Sequence, residues 1–149
     1  MVNPIPDAYG TVTPYLVVEG AEELLSFLQE SFGATIRGGD VMRGPDGRIG
    51  HAEVEIGNSV VMLADVPPDG EATRTMLNIY VEDCDAVYER ALAAGAESVR
   101  EPGDQFYGDR SGGIRDKWGN QYYISTHIED VSPEEMDRRV QAQFQGSAS

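Results

Sequence analysis

The chain contains one sequence pattern that occurs twice. The dipeptide Gly33-Ala34 reappears as Gly95-Ala96, 62 residues later (95 − 33), and Gly57-Asn58 reappears as Gly119-Asn120 at the same offset (119 − 57). Each Gly-Ala pair follows apolar residues at helical spacing, and each Gly-Asn pair lies between segments of strand-like composition. Because internal repetition of this kind shapes the whole fold, we predict a duplicated strand-helix-strand-strand-strand unit.

The first copy of this unit is predicted over residues 9–65. Val12–Val18 is rich in β-branched and aromatic residues, and apolar residues then follow at helical spacing from Leu24 to Phe32. Three further strands are predicted, separated by glycine-containing turns: Ala34–Met42, Ile49–Ile56 and Ser59–Ala64.

A linker over residues 66–74 precedes the second copy, which is predicted over residues 75–128. Its elements are expected in the same order, with a strand at Met76–Val81, a helix at Cys84–Ala94, and strands at Glu97–Arg100, near Gly113–Asp116 and at Gln121–Thr126. Ser132-Pro133-Glu134-Glu135 is a capping box with proline at the first helical position. A helix is therefore expected to begin there and to run towards Phe144 within the C-terminal segment, residues 129–149.

The predicted strands have one aliphatic face and one polar or aromatic face. The aliphatic face belongs against the helices, whereas tyrosine, methionine and asparagine on the other face indicate the lining of a cleft. The polar or aromatic set comprises Thr13, Tyr15, Val17, His51, Glu53, Glu55, Met76, Asn78, Tyr80, Gln121, Tyr123 and Ser125. We predict a single α+β domain over residues 1–149, with a curved mixed sheet around a cleft, helices on the outer face and an extra C-terminal helix.

The composition limits the partners of the protein. The formal net charge is −15, with 26 acidic residues, so the chain repels phosphates and anionic lipids. We expect no nucleic-acid partner and no membrane partner.

Met1–Pro6 lacks a basic region followed by an apolar stretch, and the one cysteine, Cys84, cannot form an internal disulfide. We therefore expect a cytoplasmic protein whose partner is a small molecule or another protein.

The repeated unit resembles the vicinal oxygen chelate superfamily. The resemblance is carried by Leu77–Tyr88, which opens the second copy, and by Ala93–Ala96. Within that superfamily, Gly50–Leu63 and the segment Tyr107–His127 are similar to the PhnB-like branch of glyoxalase and bleomycin-resistance proteins. The resemblance covers Thr11–His127 and implies two βαβββ modules and the binding of a small molecule. We also expect a homodimer.

The resemblance also implies that the family's metal site is absent. In metal-dependent relatives the ligands come from the start of the first strand and the end of the fourth strand of each copy, and they are usually His, Gln or Glu. The resemblance places Thr13, Val61, Met76 and Tyr123 at these positions, and this set suits no divalent metal ion. Lys117 is a further departure, because the branch usually has proline before the turn. We expect neither a metal nor another cofactor.

Three residues are candidates for acid–base chemistry. His51 and Glu53 are two positions apart on one predicted strand, so they project from one face and form either a proton-transfer pair or a structural pair. Tyr123 either hydrogen-bonds a ligand or fills the centre of the cleft. A glycine-rich loop is expected to place further residues at the rim. The predicted ligand-binding residues are Thr13, Tyr15, His51, Met76, Asn78, Tyr80, Phe106, Tyr107, Arg110, Tyr123 and Ser125.

The predicted function is metal-free binding of an aromatic or amphipathic compound in the cleft. Three alternatives stay open: an isomerase or lyase that uses His51 with Glu53, or Tyr123, as acid and base; a metal-dependent enzyme with non-standard ligands; and a protein–protein interaction module. The sequence also leaves open whether the two modules pair within one chain or between chains.

Overall fold

The computed structural model describes residues 1–38 and 41–147. Within these ranges the chain forms nine strands and three helices: β1 Tyr15–Val18, α1 Ala21–Phe32, β2 Thr35–Ile36, β3 Met42–Arg43, β4 Ile49–Ile56, β5 Ser59–Asp65, β6 Met76–Tyr80, α2 Cys84–Ala93, β7 Glu97–Asp104, β8 Asp109–Arg115, β9 Gln121–His127 and α3 Pro133–Ser147. The predicted α+β fold of two βαβββ units is confirmed, and the strands form two mixed sheets. Among the described helices, none has the length and apolar character that crossing a bilayer requires.

The first sheet has the strand order β1-β5-β4-β2, and β3 also pairs with β4. β1 runs parallel to β5, and the other pairs are antiparallel. The prediction of one strand over Ala34–Met42 is wrong, because β2 ends at Ile36 and β3 begins only at Met42. Gly38 has a φ of 72°, so the chain turns after β2; residues 39 and 40 lie outside the described part.

The second sheet has the strand order β6-β9-β8-β7, with β6 parallel to β9. β8 begins at Asp109, so most of the segment predicted as a glycine-rich loop is a strand. Glycine is required inside this strand because a Cβ atom on Gly113 would lie 2.9 Å from Cε1 of Tyr123. β7 likewise continues to Asp104, beyond its predicted end at Arg100.

One hydrophobic core joins the two halves on the helix-covered side of both sheets. α1 and α2 pack on each other, and Tyr122 of β9 has its ring centroid 5.8 Å from that of Phe27 and 5.4 Å from that of Phe32, both on α1. The aliphatic strand residues lie in or against this core as predicted: Leu16, Val18, Leu77, Ile79 and Val81. The polar or aromatic faces of both sheets are therefore left on the opposite side.

The linker covers the edge of β1, whereas no described segment pairs with the outer edge of β6. Thr73 donates its backbone N–H to the carbonyl of Val17 (2.9 Å), and its hydroxyl accepts the N–H of Val17 (3.1 Å). At β6, the carbonyl of Thr75 accepts the N–H of Gln121 from β9 (2.9 Å). Since the backbone groups of alternate residues point to opposite sides of a strand, those on the outer edge of β6 belong to Met76, Asn78 and Tyr80.

The C-terminal helix is fastened to the turn between β7 and β8. The hydroxyl of Ser132 accepts the N–H of Glu135 (3.2 Å), which confirms the predicted helix cap. Arg139 donates to the carbonyl of Phe106 (2.9 Å) and makes two bonds to the Glu129 carboxylate (both 2.8 Å). The position of this turn therefore depends on α3.

Candidate functional site

Each sheet has one face that no helix covers, and these two surfaces carry most of the predicted site residues. We call them the first and second open faces. Strand register defines their members, because side chains directly opposite each other on paired strands share a face. The first open face contains Tyr15, His51, Glu53 and Met62. The second contains Met76, Asn78, Tyr80, Asp109, Ser111, Gly113, Gln121, Tyr123, Ser125 and His127.

A tyrosine, a histidine and a glutamate form a hydrogen-bonded line on the first open face. The hydroxyl of Tyr15 lies 2.8 Å from Nδ1 of His51, and Nε2 of His51 lies 2.8 Å from Oε2 of Glu53. A carboxylate only accepts hydrogen bonds, so a neutral imidazole with its proton on Nε2 satisfies both contacts. We call this line the Tyr15–His51–Glu53 relay. It confirms the predicted pairing of His51 with Glu53 on one face.

The relay is anchored at its carboxylate end. Tyr9 donates its hydroxyl to Oε1 of Glu53 (2.6 Å), and Arg37 donates to the same oxygen (3.3 Å). The hydrogen bonds from His51 and Tyr9 lower the pKa of Glu53, and Arg37 adds a smaller effect in the same direction. At the other end, partial burial and then the negative charge of Glu53 raise the pKa of Tyr15. Tyr15 therefore carries its proton at neutral pH while Glu53 is ionised.

The second open face contains a row of short polar side chains. Ser125 donates its hydroxyl to Oδ1 of Asn78 (3.0 Å) and lies 3.2 Å from the hydroxyl of Ser111. Ser111 and Ser125 are buried, whereas Asn78 is exposed. Met76 and Tyr80, on the neighbouring strand, are 64% and 61% exposed, so no wall covers this face within the single chain.

One end of the second open face carries a second tyrosine–carboxylate–histidine cluster. Tyr80 donates its hydroxyl to buried Asp109 (2.6 Å), and Nδ1 of His127 lies 2.8 Å from the same carboxylate. Nε2 of His127 lies 2.7 Å from Asp130, just before α3. The hydrogen bonds to Asp109 and then Asp130 raise the pKa of His127, and the bond to Asp109 raises the pKa of Tyr80.

Tyr123 lies at the centre of the second open face. Its ring packs over Gly113, where the missing side chain leaves the space that the ring occupies. Within the described residues, the Tyr123 hydroxyl has no hydrogen-bond partner, although the ring is only partly exposed. The side chain therefore fills the centre of this face and also leaves its hydroxyl available for a ligand, so the two predicted roles are compatible.

The predicted place of Arg110 is wrong. Arg110 lies in β8, one residue from Ser111, so strand alternation turns it towards the helix-covered side. There it makes two bonds to Asp85 of α2 (2.8 and 3.0 Å) and one to Asp104 (3.0 Å). Phe106 does lie in a turn, as predicted, together with its neighbour Tyr107, with their rings edge-to-face at 5.4 Å.

The residues at the family's metal-ligand positions do not fit a metal ion. Val61 is buried on the helix-covered side, because β5 alternates so that Met62, its neighbour, lies opposite Tyr15 on the first open face. Thr13, Met62, Met76 and Tyr123 offer no carboxylate or imidazole.

The two histidines do not supply the missing metal ligands. Both ring nitrogens of His51 and of His127 are engaged by side chains of the chain itself. Over residues 1–38 and 41–147, no three His, Cys, Asp or Glu side chains are grouped as metal ligands would be.

A groove of about 840 Å³ lies between the two modules, beside the second open face. It runs between the turn at Gly57-Asn58 and the elements β6 and α2, and Asn78 and Tyr80 form part of its wall. Phe32 and Arg90 also line it. Two of the predicted ligand-binding residues of β6, Asn78 and Tyr80, therefore border a concave surface.

Several members of these clusters were not predicted. His127 continues the alternation of Tyr123 and Ser125, and this signal was present in the sequence. Tyr9 precedes the first strand, and nothing in its local sequence connects it with Glu53, 44 residues later. Asp109 was missed because its strand was predicted as a loop.

Two βαβββ modules, each with one uncovered polar and aromatic face, define the fold class of this chain. The sequence profile of the Glyoxalase/Bleomycin resistance protein/Dioxygenase superfamily matches residues 9–123. The chain belongs to this superfamily.

Similar proteins are found among sequences and among solved structures. An uncharacterized Mycobacterium bovis protein, Mb0911c, is 31% identical over 146 residues, which cover 91% of this chain and 95% of that protein. TioX from Micromonospora sp. ML1 shares 25% identity and a TM-score of 0.64, covering 80% of this chain and 99% of that one. A family enzyme from Burkholderia phytofirmans PsJN shares 18% identity and a TM-score of 0.61, covering 78% and 97%, so it is similar in fold.

The cluster around His127 predicts a specific pH dependence of stability. The native pKa of His127 lies above its usual value of 6.5. Protonated His127 therefore stabilises the fold fully below pH 6.5, and this stabilisation is lost as the pH rises through the native pKa. We expect His127→Gln to lower the free energy of unfolding more at about pH 5.5 than at about pH 9. Denaturant unfolding at both pH values measures the difference. An equal loss of unfolding free energy at both pH values would contradict a raised pKa of His127. Asp130→Asn, which removes one hydrogen-bond partner of His127, should reduce the pH dependence of stability without abolishing it.

Proposed function

We propose that this protein binds a small aromatic or amphipathic compound on its open faces without using a metal ion. The observation that carries the proposal is the composition of the second open face. Tyr80 and Tyr123 supply aromatic surface there, and the row from Asn78 to Ser111 supplies polar groups beside it. Binding sites for small molecules combine apolar surface with a few placed polar groups in this way.

The donor chemistry of the open faces supports the metal-free part of the proposal. The resemblance expects metal ligands at Thr13, Val61, Met76 and Tyr123, and on the open face Met62 takes the place of Val61; none of these side chains suits a divalent ion. Neither histidine offers a free ring nitrogen without losing a hydrogen bond. We also keep the PhnB-like branch and a cytoplasmic location as parts of the proposal.

We further propose that the protein acts as a homodimer. β6 exposes Met76 and Tyr80 together with the unpaired backbone groups of its outer edge. A free strand edge is a template for another strand, and two copies of one edge pair readily around a two-fold axis. A second copy would cover the exposed side chains and give the second open face the wall that it lacks in the single chain.

A second candidate function is an isomerase or lyase that uses the Tyr15–His51–Glu53 relay. In such a step, the Tyr15 oxygen takes a proton from the substrate while its own proton moves to Nδ1 of His51, and ionised Glu53 stabilises the resulting imidazolium. Return of the proton at a neighbouring atom completes an isomerisation. The relay geometry favours this candidate, since each hydrogen bond it needs is already formed.

The binding function predicts stabilisation by aromatic compounds. A compound present at about 100 times its Kd adds about 2.7 kcal/mol to the free energy of unfolding, which raises the Tm by roughly 5 to 10 °C for a chain of this size. Thermal-shift screening of aromatic and aliphatic libraries measures this, with Tyr123→Ala expected to lose the response. Phe144→Ala is the matched control, since Phe144 is 71% exposed on α3. If no compound stabilises the wild type at millimolar concentration, the proposal fails.

The relay predicts a separation of turnover from binding. Any compound that stabilises the wild type is incubated with it, and conversion is followed by NMR. Tyr15→Phe and His51→Ala are expected to lower turnover by roughly 10²- to 10⁴-fold while the thermal shift stays unchanged. Absence of turnover in the wild type, or turnover in both variants equal to that of the wild type, would reject the enzymatic candidate.

The proposed homodimer predicts a change in mass when the β6 edge is altered. Light scattering should give twice the single-chain mass for the wild type and a shift towards the single chain for Met76→Lys, because lysine on an edge strand opposes strand pairing. Val12→Lys, at another exposed apolar residue, is the control that should leave the mass unchanged. A single-chain mass for the wild type at high protein concentration would refute the dimer.

A further inference from the structure

Arg100 is a cation without a carboxylate partner in a strongly acidic chain. The chain has 11 lysines and arginines against 26 acidic residues, and all 11 lie in the described ranges. Most of them form an ion pair with a described carboxylate; Arg74, Arg90 and Arg100 do not. Of these three, Arg100 lies on the second open face.

A β-bulge places Arg100 on this face. Ser98 of β7 lies opposite Ile114, on the helix-covered side, where its hydroxyl is 2.6 Å from that of Tyr88. Strict alternation would put Arg100 on the same side as Ser98. The register shifts between these two residues, so Arg100 instead lies opposite Gly113 on the second open face. A bulge that turns one side chain to the other face often serves a site, because it re-aims that side chain while the strand pairing continues.

The guanidinium of Arg100 is held in place, but most of its N–H donors have no hydrogen-bond partner among the described residues. It donates from Nη2 to the buried hydroxyl of Ser111 (3.0 Å), and its central carbon lies 5.3 Å from the centroid of the Tyr123 ring. These contacts orient the group above Gly113, between two strands of the sheet. A guanidinium has five N–H donors, and the Ser111 contact engages one of them.

We propose that Arg100, together with the hydroxyl of Tyr123, binds a carboxylate group of the ligand on the second open face. This inference rests on the proposed binding function and specifies the class of its ligand as an aromatic carboxylic acid. The planar fork of arginine matches a carboxylate with two parallel hydrogen bonds, and the free phenol adds a third donor.

The charge of the chain favours a carboxylate over a phosphate ester at this place. One unpaired arginine balances one negative charge on a ligand, whereas the net charge of −15 on the chain opposes the binding of a second negative charge.

The aromatic part of the proposed ligand is inferred from the rings beside Arg100. Tyr123 touches the guanidinium, and Tyr80 lies on the same face.

The test compares benzoate and naphthoate acids with their neutral carboxamides and with phenyl phosphate, by NMR titration of the full chain at low salt. The carboxylates are expected to bind the wild type at least tenfold more tightly than the carboxamides, because hydrogen bonds to charged groups contribute roughly that much. Arg100→Gln should remove this preference. Tyr123→Phe, which keeps the ring and removes only the phenol donor, should reduce the preference without removing it.

Arg138→Gln is the matched control, since it removes one positive charge from the exposed surface of α3 and makes the net charge equal to that of Arg100→Gln. An equal loss of carboxylate affinity in both variants would overturn the inference, because the effect would then come from the overall field. Carboxamides that bind as well as carboxylates, or a preference for phenyl phosphate, would also overturn it while leaving the binding function intact. If no compound of either kind binds, both proposals fail together.

Discussion

The contact of Phe27 and Phe32 with Tyr122 joins the two halves of this chain, and the rest of the structure depends on it. The rings lie on the helix-covered side of both sheets, within one core that α1 and α2 share. Tyr122 is fully buried, and its hydroxyl donates to Asp116 (2.8 Å), so its polar end is satisfied inside that core. With the aliphatic faces covered in this way, the polar faces of both sheets remain open.

Within the open faces, polar side chains satisfy one another and leave few groups free. The Tyr15–His51–Glu53 relay and the cluster around His127 each combine a phenol, an imidazole and a carboxylate. Their ring nitrogens already have hydrogen-bond partners within the chain, so a metal ion could bind them only in place of those hydrogen bonds. Near the centre, Arg100 and the Tyr123 hydroxyl keep hydrogen-bonding capacity that no described residue uses, and we propose that these groups recognise the ligand.

Much of the fold and part of the candidate site could be predicted from the sequence. Alternation alone put Tyr15, Asn78 and Tyr123 on the uncovered side, because the period of a strand fixes the face of each side chain. Arg110 was misplaced because the strand that contains it was predicted as a loop, to which alternation does not apply. The face of Arg100 could not be predicted by alternation, because the register of β7 shifts on either side of this residue and the shifts have no local sequence signal here.

The sequence by itself determined the repeat, the order of the elements and the two faces of each strand. These properties follow from local periodicity and composition. The tertiary structure alone decided which side chains meet: that Tyr9 reaches Glu53, that Asp109 and Asp130 enclose His127, and that the edge of β6 stays free. Most of these contacts join residues that are distant in the sequence, such as Tyr9 and Glu53, and their geometry depends on the register and packing of the whole chain.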